Sequence, residues 1–98
     1  MRTMLKVTID VEAGNKAIQT GELPKIIGAL VEKINPEAAY FTTYQGLRTA
    51  FFVFDMTDTS NMPPLFEPLF EQLKAQIELT PVMNRAELET GFKKLMGN

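Results

Sequence analysis

The stretch EAAYFTTYQGLRTAFFVFDM, residues 37–56, decides the fold of this chain. Residues 37–44 and 48–56 are rich in aromatic and β-branched side chains, which favour β-strands. Gln45-Gly46 lies between them, and glycine supplies a positive φ angle of the kind that a tight turn needs. The stretch therefore predicts a β-hairpin.

Both faces of the predicted hairpin are apolar, so each face needs a cover. One face, extended by Phe54, suits a layer of helices, whereas the other leaves Tyr40, Phe51 and Val53 in water. A monomer rarely exposes such a contiguous apolar patch without using it. We therefore expect a homodimer whose two sheets face each other. The turn pairs Thr42 with Thr49, Tyr40 with Phe51 and Ala38 with Val53 on this second face, and Phe41 with Ala50 and Ala39 with Phe52 on the first.

The segments before the hairpin predict one strand and two helical stretches. In residues 4–12 polar and apolar side chains alternate, which indicates a strand with one buried face. Residues 13–20 are expected to form a short helical turn that Gly21 stops. Residues 23–34 then repeat apolar side chains at helical spacing, and Asn35-Pro36 ends that helix.

The segments after the hairpin predict a helix, a strand and a last helix. A wide apolar stripe in residues 62–73 indicates the second helix. Because proline lacks an N–H, this helix is expected either to be kinked at Pro68 or to begin near it. Residues 76–81 alternate as a fourth strand, and Pro81 favours an edge position. Asn84 and Glu87 form a capping-box pattern that starts the last helix. The expected inner stripe of that helix is Leu88, Phe92, Leu95 and Met96.

The resulting order is β-α-β-β-α-β with an extra C-terminal helix, which is the plan of ferredoxin-like α+β domains. In that plan helices cover one face of a four-stranded antiparallel sheet, and strands one and three lie in its centre. The length of 98 residues and the hydrophobic share of 45% fit a single domain that spans residues 1–98.

The composition excludes several classes of function. The chain has 12 acidic and 10 basic residues and a net charge of −2, so we expect no electrostatic attraction to nucleic acid or to an anionic membrane surface. Cys, His and Trp are absent, which removes thiolate nucleophiles, imidazole bases and the preferred ligands of zinc, copper and haem iron. We therefore expect no metal and no cofactor.

RNA binding and a membrane location are not expected either. RNA-recognition domains share this strand order and stack bases on aromatic residues of strands one and three, but Lys6 and Ala50 take two of those positions here. The first ten residues carry no apolar signal-peptide core, and the longest strongly apolar run, residues 50–54, is too short to cross a membrane. These features predict a cytoplasmic protein.

The polar half of the uncovered sheet face is the candidate site. Strand one contributes Lys6, Thr8 and Asp10 to this face, and strand four contributes Glu78. Paired carboxylates in a cleft can serve as an acid and a base, while Lys6 can hold an anionic group. The competing interpretation is a set of solvated strand residues or a polar network at a dimer interface. The candidate ligand-binding residues are Lys6, Thr8, Asp10, Tyr40, Thr49, Phe51 and Glu78.

The charges of this half are not expected to satisfy each other. On an extended strand Lys6 and Asp10 lie about 13 Å apart, which is too far for a direct ion pair. Glu78 can approach one of them, and the group left over needs water, a ligand or a residue of the partner subunit. We expect these residues to orient a small, partly apolar acid or ketone against the apolar half of the hairpin.

Five segments carry a resemblance to a known family: AGNKAI (13–18), LPKII (23–27), EAAYF (37–41), RTAFFVFD (48–55) and LTPVMN (79–84). They resemble a group of small bacterial proteins of unassigned activity within the dimeric α/β-barrel superfamily. The resemblance implies a ferredoxin-like fold and dimerisation, and it transfers no site residue. Other branches of that superfamily include cofactor-free monooxygenases and small-molecule isomerases or decyclases.

Two functions from different classes follow. The first is a homodimer that binds a small organic molecule between its sheets, or that only dimerises. The second is a cofactor-independent monooxygenase or isomerase that acts on a small organic substrate with its carboxylates and Lys6.

Overall fold

The computed structural model describes residues 1–97, which form a four-stranded antiparallel sheet, four α-helices and one short 3₁₀ turn. Every helix in this range is too short or too polar to span a lipid bilayer. The elements follow in the order β1 (Arg2–Thr8), α1 (Val11–Gln19), α2 (Glu22–Ile34), β2 (Ala38–Tyr44), β3 (Leu47–Asp55), the 3₁₀ turn (Thr59–Asn61), α3 (Met62–Leu73), β4 (Gln76–Pro81) and α4 (Arg85–Leu95).

The strands are ordered β2-β3-β1-β4, and every neighbouring pair is antiparallel. β1 and β3 therefore lie in the centre, and β2 and β4 form the edges. Pro81 ends the edge strand β4, where the loss of one N–H is tolerated. The arrangement is compatible with the ferredoxin-like plan expected from the sequence.

The hairpin of β2 and β3 has the register expected from the sequence. All five predicted pairs are formed, including Tyr40 with Phe51, and the strand bounds differ from the prediction by one residue. Gln45 and Gly46 have φ angles of 53° and 80°. A two-residue turn with two positive φ angles twists in the same sense as the strands that it joins, so the turn holds this register.

The side chains that point toward the helices form the core. Leu5, Val7 and Phe52 of the central strands are completely buried, as is Leu73 of α3. Each such side chain contributes about 1.5–3 kcal/mol on burial, so this layer stabilises the sheet against the helices. The other hydrophobic members of the core are Ile9, Ala17, Leu30, Ile34, Ala50, Phe54, Phe66, Leu69 and Ala75.

The helices cover the hairpin less completely than expected. Phe41 points to the helix side but is 60% exposed, although its ring packs edge-on against Phe52 with 5.7 Å between centroids. The reason is its place on the edge strand β2, where a side chain has a neighbouring strand on one side only.

The predicted first strand is wrong at its C-terminal end. β1 ends at Thr8, and Asp10 is the N-cap of α1, where its carboxylate accepts a hydrogen bond of 3.0 Å from the backbone N–H of Ala13. The alternation of Ile9 and Val11 resembles a strand, but the cap satisfies a helix donor that would otherwise lack a partner. Asp10 and Glu12 therefore belong to a helix and not to the sheet.

The third helix contains Pro68 in its interior. α3 begins at Met62, has prolines in its first turn and continues through Pro68 to its end, so the alternative start near Pro68 is wrong. A proline inside a helix costs about 3 kcal/mol through the lost hydrogen bond and a clash. Phe66 and Leu69 are buried on either side of it, and their packing offsets that cost.

The last helix begins as expected but does not pack as expected. Asn84 and Glu87 form the complete capping box. However, none of residues 85–95 is buried, and Phe92 and Leu95 are 55% and 80% exposed. The radius of gyration is 15.7 Å, whereas a compact domain of this length has about 13 Å. The expected inner stripe therefore has no cover within residues 1–97.

Candidate functional site

The sheet face turned away from the helices, here called the open face, brings the predicted site together. The register places Tyr40, Phe51, Lys6 and Glu78 side by side in one row across all four strands. Four candidates that are far apart in the sequence are therefore neighbours. By the alternation of each strand, the open face consists of Arg2, Met4, Lys6, Thr8, Ala38, Tyr40, Thr42, Tyr44, Leu47, Thr49, Phe51, Val53, Asp55, Gln76, Glu78 and Thr80.

Lys6 is the centre of this row. Its Nζ lies 3.3 Å from a carboxylate oxygen of Glu78 and 3.9 Å from the centroid of the Tyr44 ring. The Lys6 side chain is 21% exposed, whereas that of Glu78 is 67% exposed. The ammonium group is thus partly covered and lies over an aromatic face, an arrangement that favours a cation.

Tyr44 is a member of the site that the sequence reasoning missed. Its ring packs edge-on against Phe51 with 6.3 Å between centroids, and it also reaches Lys6. To make both contacts it extends over the row that holds Thr49 and Thr8, which agrees with the burial of Thr49. The sequence could have indicated this residue, because Tyr44 follows Tyr40 by four positions on the same strand and therefore lies on the same face of the sheet.

Asp10 is the one candidate that the structure removes from the site. Its carboxylate caps α1 and does not lie on the sheet. Lys6 is paired with Glu78, so the expectation that these three charges leave one group unpaired on the open face is wrong. The physical reason is that the strand ends two residues before Asp10.

This arrangement supports binding better than acid–base chemistry. The row of Tyr40, Phe51, Lys6 and Glu78 contains a single carboxylate, which is paired with an ammonium group. Two carboxylates of different pKa, as an acid and a base require, are not brought together here. The ammonium and the aromatic rings can instead hold an anionic group that carries an apolar body.

A cluster of charges lies at the end of the sheet beyond this row. Arg2 on β1 donates a hydrogen bond of 2.5 Å from Nε to Glu37 and a second, from a terminal guanidinium nitrogen, to Glu87. The backbone N–H of Asn84 also donates to Glu87, at 2.9 Å. This hydrogen bond, followed by the charge of Arg2, holds the pKa of the Glu87 carboxyl below its ordinary value. The cluster fixes the start of α4 to β1.

Arg48 and Asp55 on β3 each have a partner outside the sheet's candidate row. Asp55 is 2.7 Å from the N-terminal amino group of Met1, while Arg48 donates to the side chain of Asn15 on α1 at 2.9 Å. The two residues lie on opposite faces of β3, because an odd number of positions separates them. Both make structural contacts outside the row of candidates.

Comparisons of this chain with models of protein families, with curated proteins and with solved structures find no match.

Proposed function

We propose that this protein is a ferredoxin-like homodimer of the dimeric α/β-barrel kind, which binds a small organic anion between two facing sheets. The observation that carries the binding proposal is the row of Tyr40, Phe51, Lys6 and Glu78, in which a partly covered ammonium group lies beside aromatic rings. A second copy placed over the open face would convert this row into the wall of a cavity.

The amount of exposed surface supports a dimer. The chain exposes 6765 Å², and its mass is 11.0 kDa. A compact monomer of that mass exposes about 5,600 Å². The difference, about 1,150 Å², exceeds the roughly 800 Å² that each partner buries in a standard interface. The chain therefore has enough additional surface for a stable contact with a second copy.

The position of the aromatic residues supports the open face as the contact. Tyr40 is 71% exposed on the outermost strand, next to Phe51 and close to the apolar Val53 and Met4. Aromatic and methionine side chains are enriched where proteins meet, because they bury a large apolar area at a small loss of conformational freedom. An isologous contact covers this patch on both copies at once.

Neighbouring residues of β2 provide a matched test of the contact. Tyr40 and Phe41 are both exposed aromatic residues, but only Tyr40 points to the open face. We expect Tyr40→Glu to raise the dissociation constant of the dimer by at least about tenfold, because an unpaired charge would be buried. Phe41→Glu should leave it unchanged. Sedimentation velocity over a dilution series measures both constants.

The result is diagnostic in either direction. A larger effect of Phe41→Glu than of Tyr40→Glu would place the contact on the other side of the sheet and contradict the facing arrangement. Circular dichroism of both variants checks the fold, which we expect to be retained because both residues are exposed on an edge strand.

The proposed ligand is a small carboxylate with an aromatic or other apolar body. Its carboxylate replaces Glu78 at the ammonium group of Lys6, and its body lies against Tyr44 and Phe51. Glu78 is largely exposed, and exposed ion pairs contribute little, so this exchange is inexpensive.

Benzoate is a suitable probe, with neutral benzamide as the control compound. We expect benzoate to raise the melting temperature in a saturable manner, because a ligand at a hundred times its dissociation constant stabilises by about 2.7 kcal/mol. Lys6→Met should abolish the shift. Glu78→Gln should strengthen binding by about fourfold, because a carboxylate roughly 5 Å from the ligand no longer repels it.

Lys16→Met on α1 is the matched control, since it removes a lysine of the same charge from an exposed helix position away from the open face. Equal shifts in Lys6→Met and in the unmodified protein would contradict the binding proposal, as would an equal response to benzamide.

The enzymatic alternative, a cofactor-independent monooxygenase or isomerase, has less support. It relied on paired carboxylates, and Asp10, the partner expected for Glu78, caps α1 instead. Glu78 is paired with Lys6 at a largely exposed position and has no second carboxylate of the row beside it.

A further inference from the structure

Helix α4 carries an apolar stripe that the rest of residues 1–97 leaves uncovered. Leu88, Phe92 and Leu95 are four and three positions apart, so they share one face of the helix. All three are exposed. An isolated helix of this length is marginal in water and takes most of its stability from packing. The stripe therefore needs a surface to pack against.

The groove between α3 and β4 is a second apolar surface without a cover. It has a volume of about 350 Å³, and its walls are Met62, Phe66 and Phe70 on α3 and Ile77 and Leu79 on β4. Phe70 is exposed there. A groove of this composition is the kind of surface that receives the apolar face of an amphipathic helix.

The helix is held away from the groove of its own chain. Arg2 bonds Glu87 in the first turn of α4, and its backbone carbonyl accepts from the N–H of Val82 at 3.1 Å. By strand alternation Arg2 points to the open face, whereas Ile77 and Leu79 line the groove from the helix side. Three residues connect β4 to α4, and they span at most about 11 Å. Entry into its own groove would break the contacts of Arg2.

We infer that α4 packs into the α3–β4 groove of a second copy of this chain, and that the second copy returns the same contact. The start of α4 lies on the open-face side, which is the side on which the proposed partner sits. A reciprocal exchange covers two stripes and two grooves at once, and the additional exposed area described above is sufficient for it. The inference builds on the proposed homodimer but uses different residues.

Introduced cysteines test this contact cleanly, because the chain has no cysteine of its own. One preparation carries Phe92→Cys, and a second, isotope-labelled preparation carries Phe70→Cys in the groove. The two are mixed and oxidised, and mass spectrometry measures the mixed disulfide. We expect it to form at least about tenfold faster than with Phe41→Cys, because a disulfide requires Cβ atoms about 4 Å apart.

Phe41→Cys is the matched control, since Phe41 is a phenylalanine on β2 away from the groove and is more exposed than Phe70, at 60% against 43%. Equal rates for the two partners, or no mixed disulfide, would overturn the inference. So would a single chain carrying Phe92→Cys and Phe70→Cys that closes an internal disulfide at high dilution, because α4 would then occupy its own groove.

The outcomes separate this inference from the proposed function. If Tyr40→Glu leaves the dimer unchanged while the Phe92→Cys and Phe70→Cys preparations still cross-link, the facing sheets are wrong and the helix exchange stands. If Tyr40→Glu weakens the dimer while no cross-link forms, the helix exchange is wrong and the facing sheets stand.

Discussion

Lys6, on a central strand, contacts side chains on both edges of the sheet. It pairs with Glu78 on one neighbouring strand and lies over the ring of Tyr44 from the far edge, so one side chain connects three of the four strands. The central position of Lys6 therefore matters more to the candidate site than the energy of its ion pair, because an exposed ion pair contributes at most about 1 kcal/mol to stability.

Asp10 is the residue at which sequence and structure differ most, and its role as a cap can be measured. We expect Asp10→Ala to lower the free energy of unfolding by about 1 kcal/mol, because the donor of Ala13 loses its partner. Asp10→Asn retains a capping side chain and should have a small effect. Urea denaturation measures both. Neither substitution should alter the response to benzoate, and a lost response in Asp10→Asn would return Asp10 to the site.

At the scale of elements, the hairpin could be predicted residue by residue and the ends of other elements could not. The register of β2 and β3 follows from a period of two and a two-residue turn, which are local features. Two local patterns compete at the end of β1. The alternation of polar and apolar residues through Val11 favours a longer strand, whereas Asp10 favours the start of a helix that it caps, and the helix forms. Pro68 lies inside α3 because the helix packs against residues that are distant in the sequence, and no local sequence pattern indicates such packing.

The turn of the hairpin gives the prediction at this scale. Gln45 has a φ angle of 53°, a region that asparagine adopts more readily than glutamine. We expect Gln45→Asn to stabilise the protein by up to about 1 kcal/mol, since Asn-Gly is the preferred pair for such turns. Thermal unfolding measures the change, with Thr43→Asn, two positions before Gln45 on β2, as the control. A lower melting temperature for Gln45→Asn would show that the turn is of another type.

At the scale of the whole molecule, the apolar patterns of the sequence indicate which faces need a cover. They do not indicate whether the same chain or another molecule provides that cover. The stripe of Leu88, Phe92 and Leu95 was expected to face the core, and it faces outward. Tyr40 was expected to need a cover, and it is exposed in the single chain. Periodicity reveals that a face is apolar, but whether the cover belongs to the same chain depends on tertiary geometry.

The mass of the unmodified protein in solution tests the central claim most directly. Size-exclusion chromatography with light scattering at micromolar concentration should give a single species of about twice the chain mass of 11.0 kDa, because the proposed facing sheets join two copies. A single species with the mass of one chain across that range would contradict the facing sheets and leave the open face without its partner.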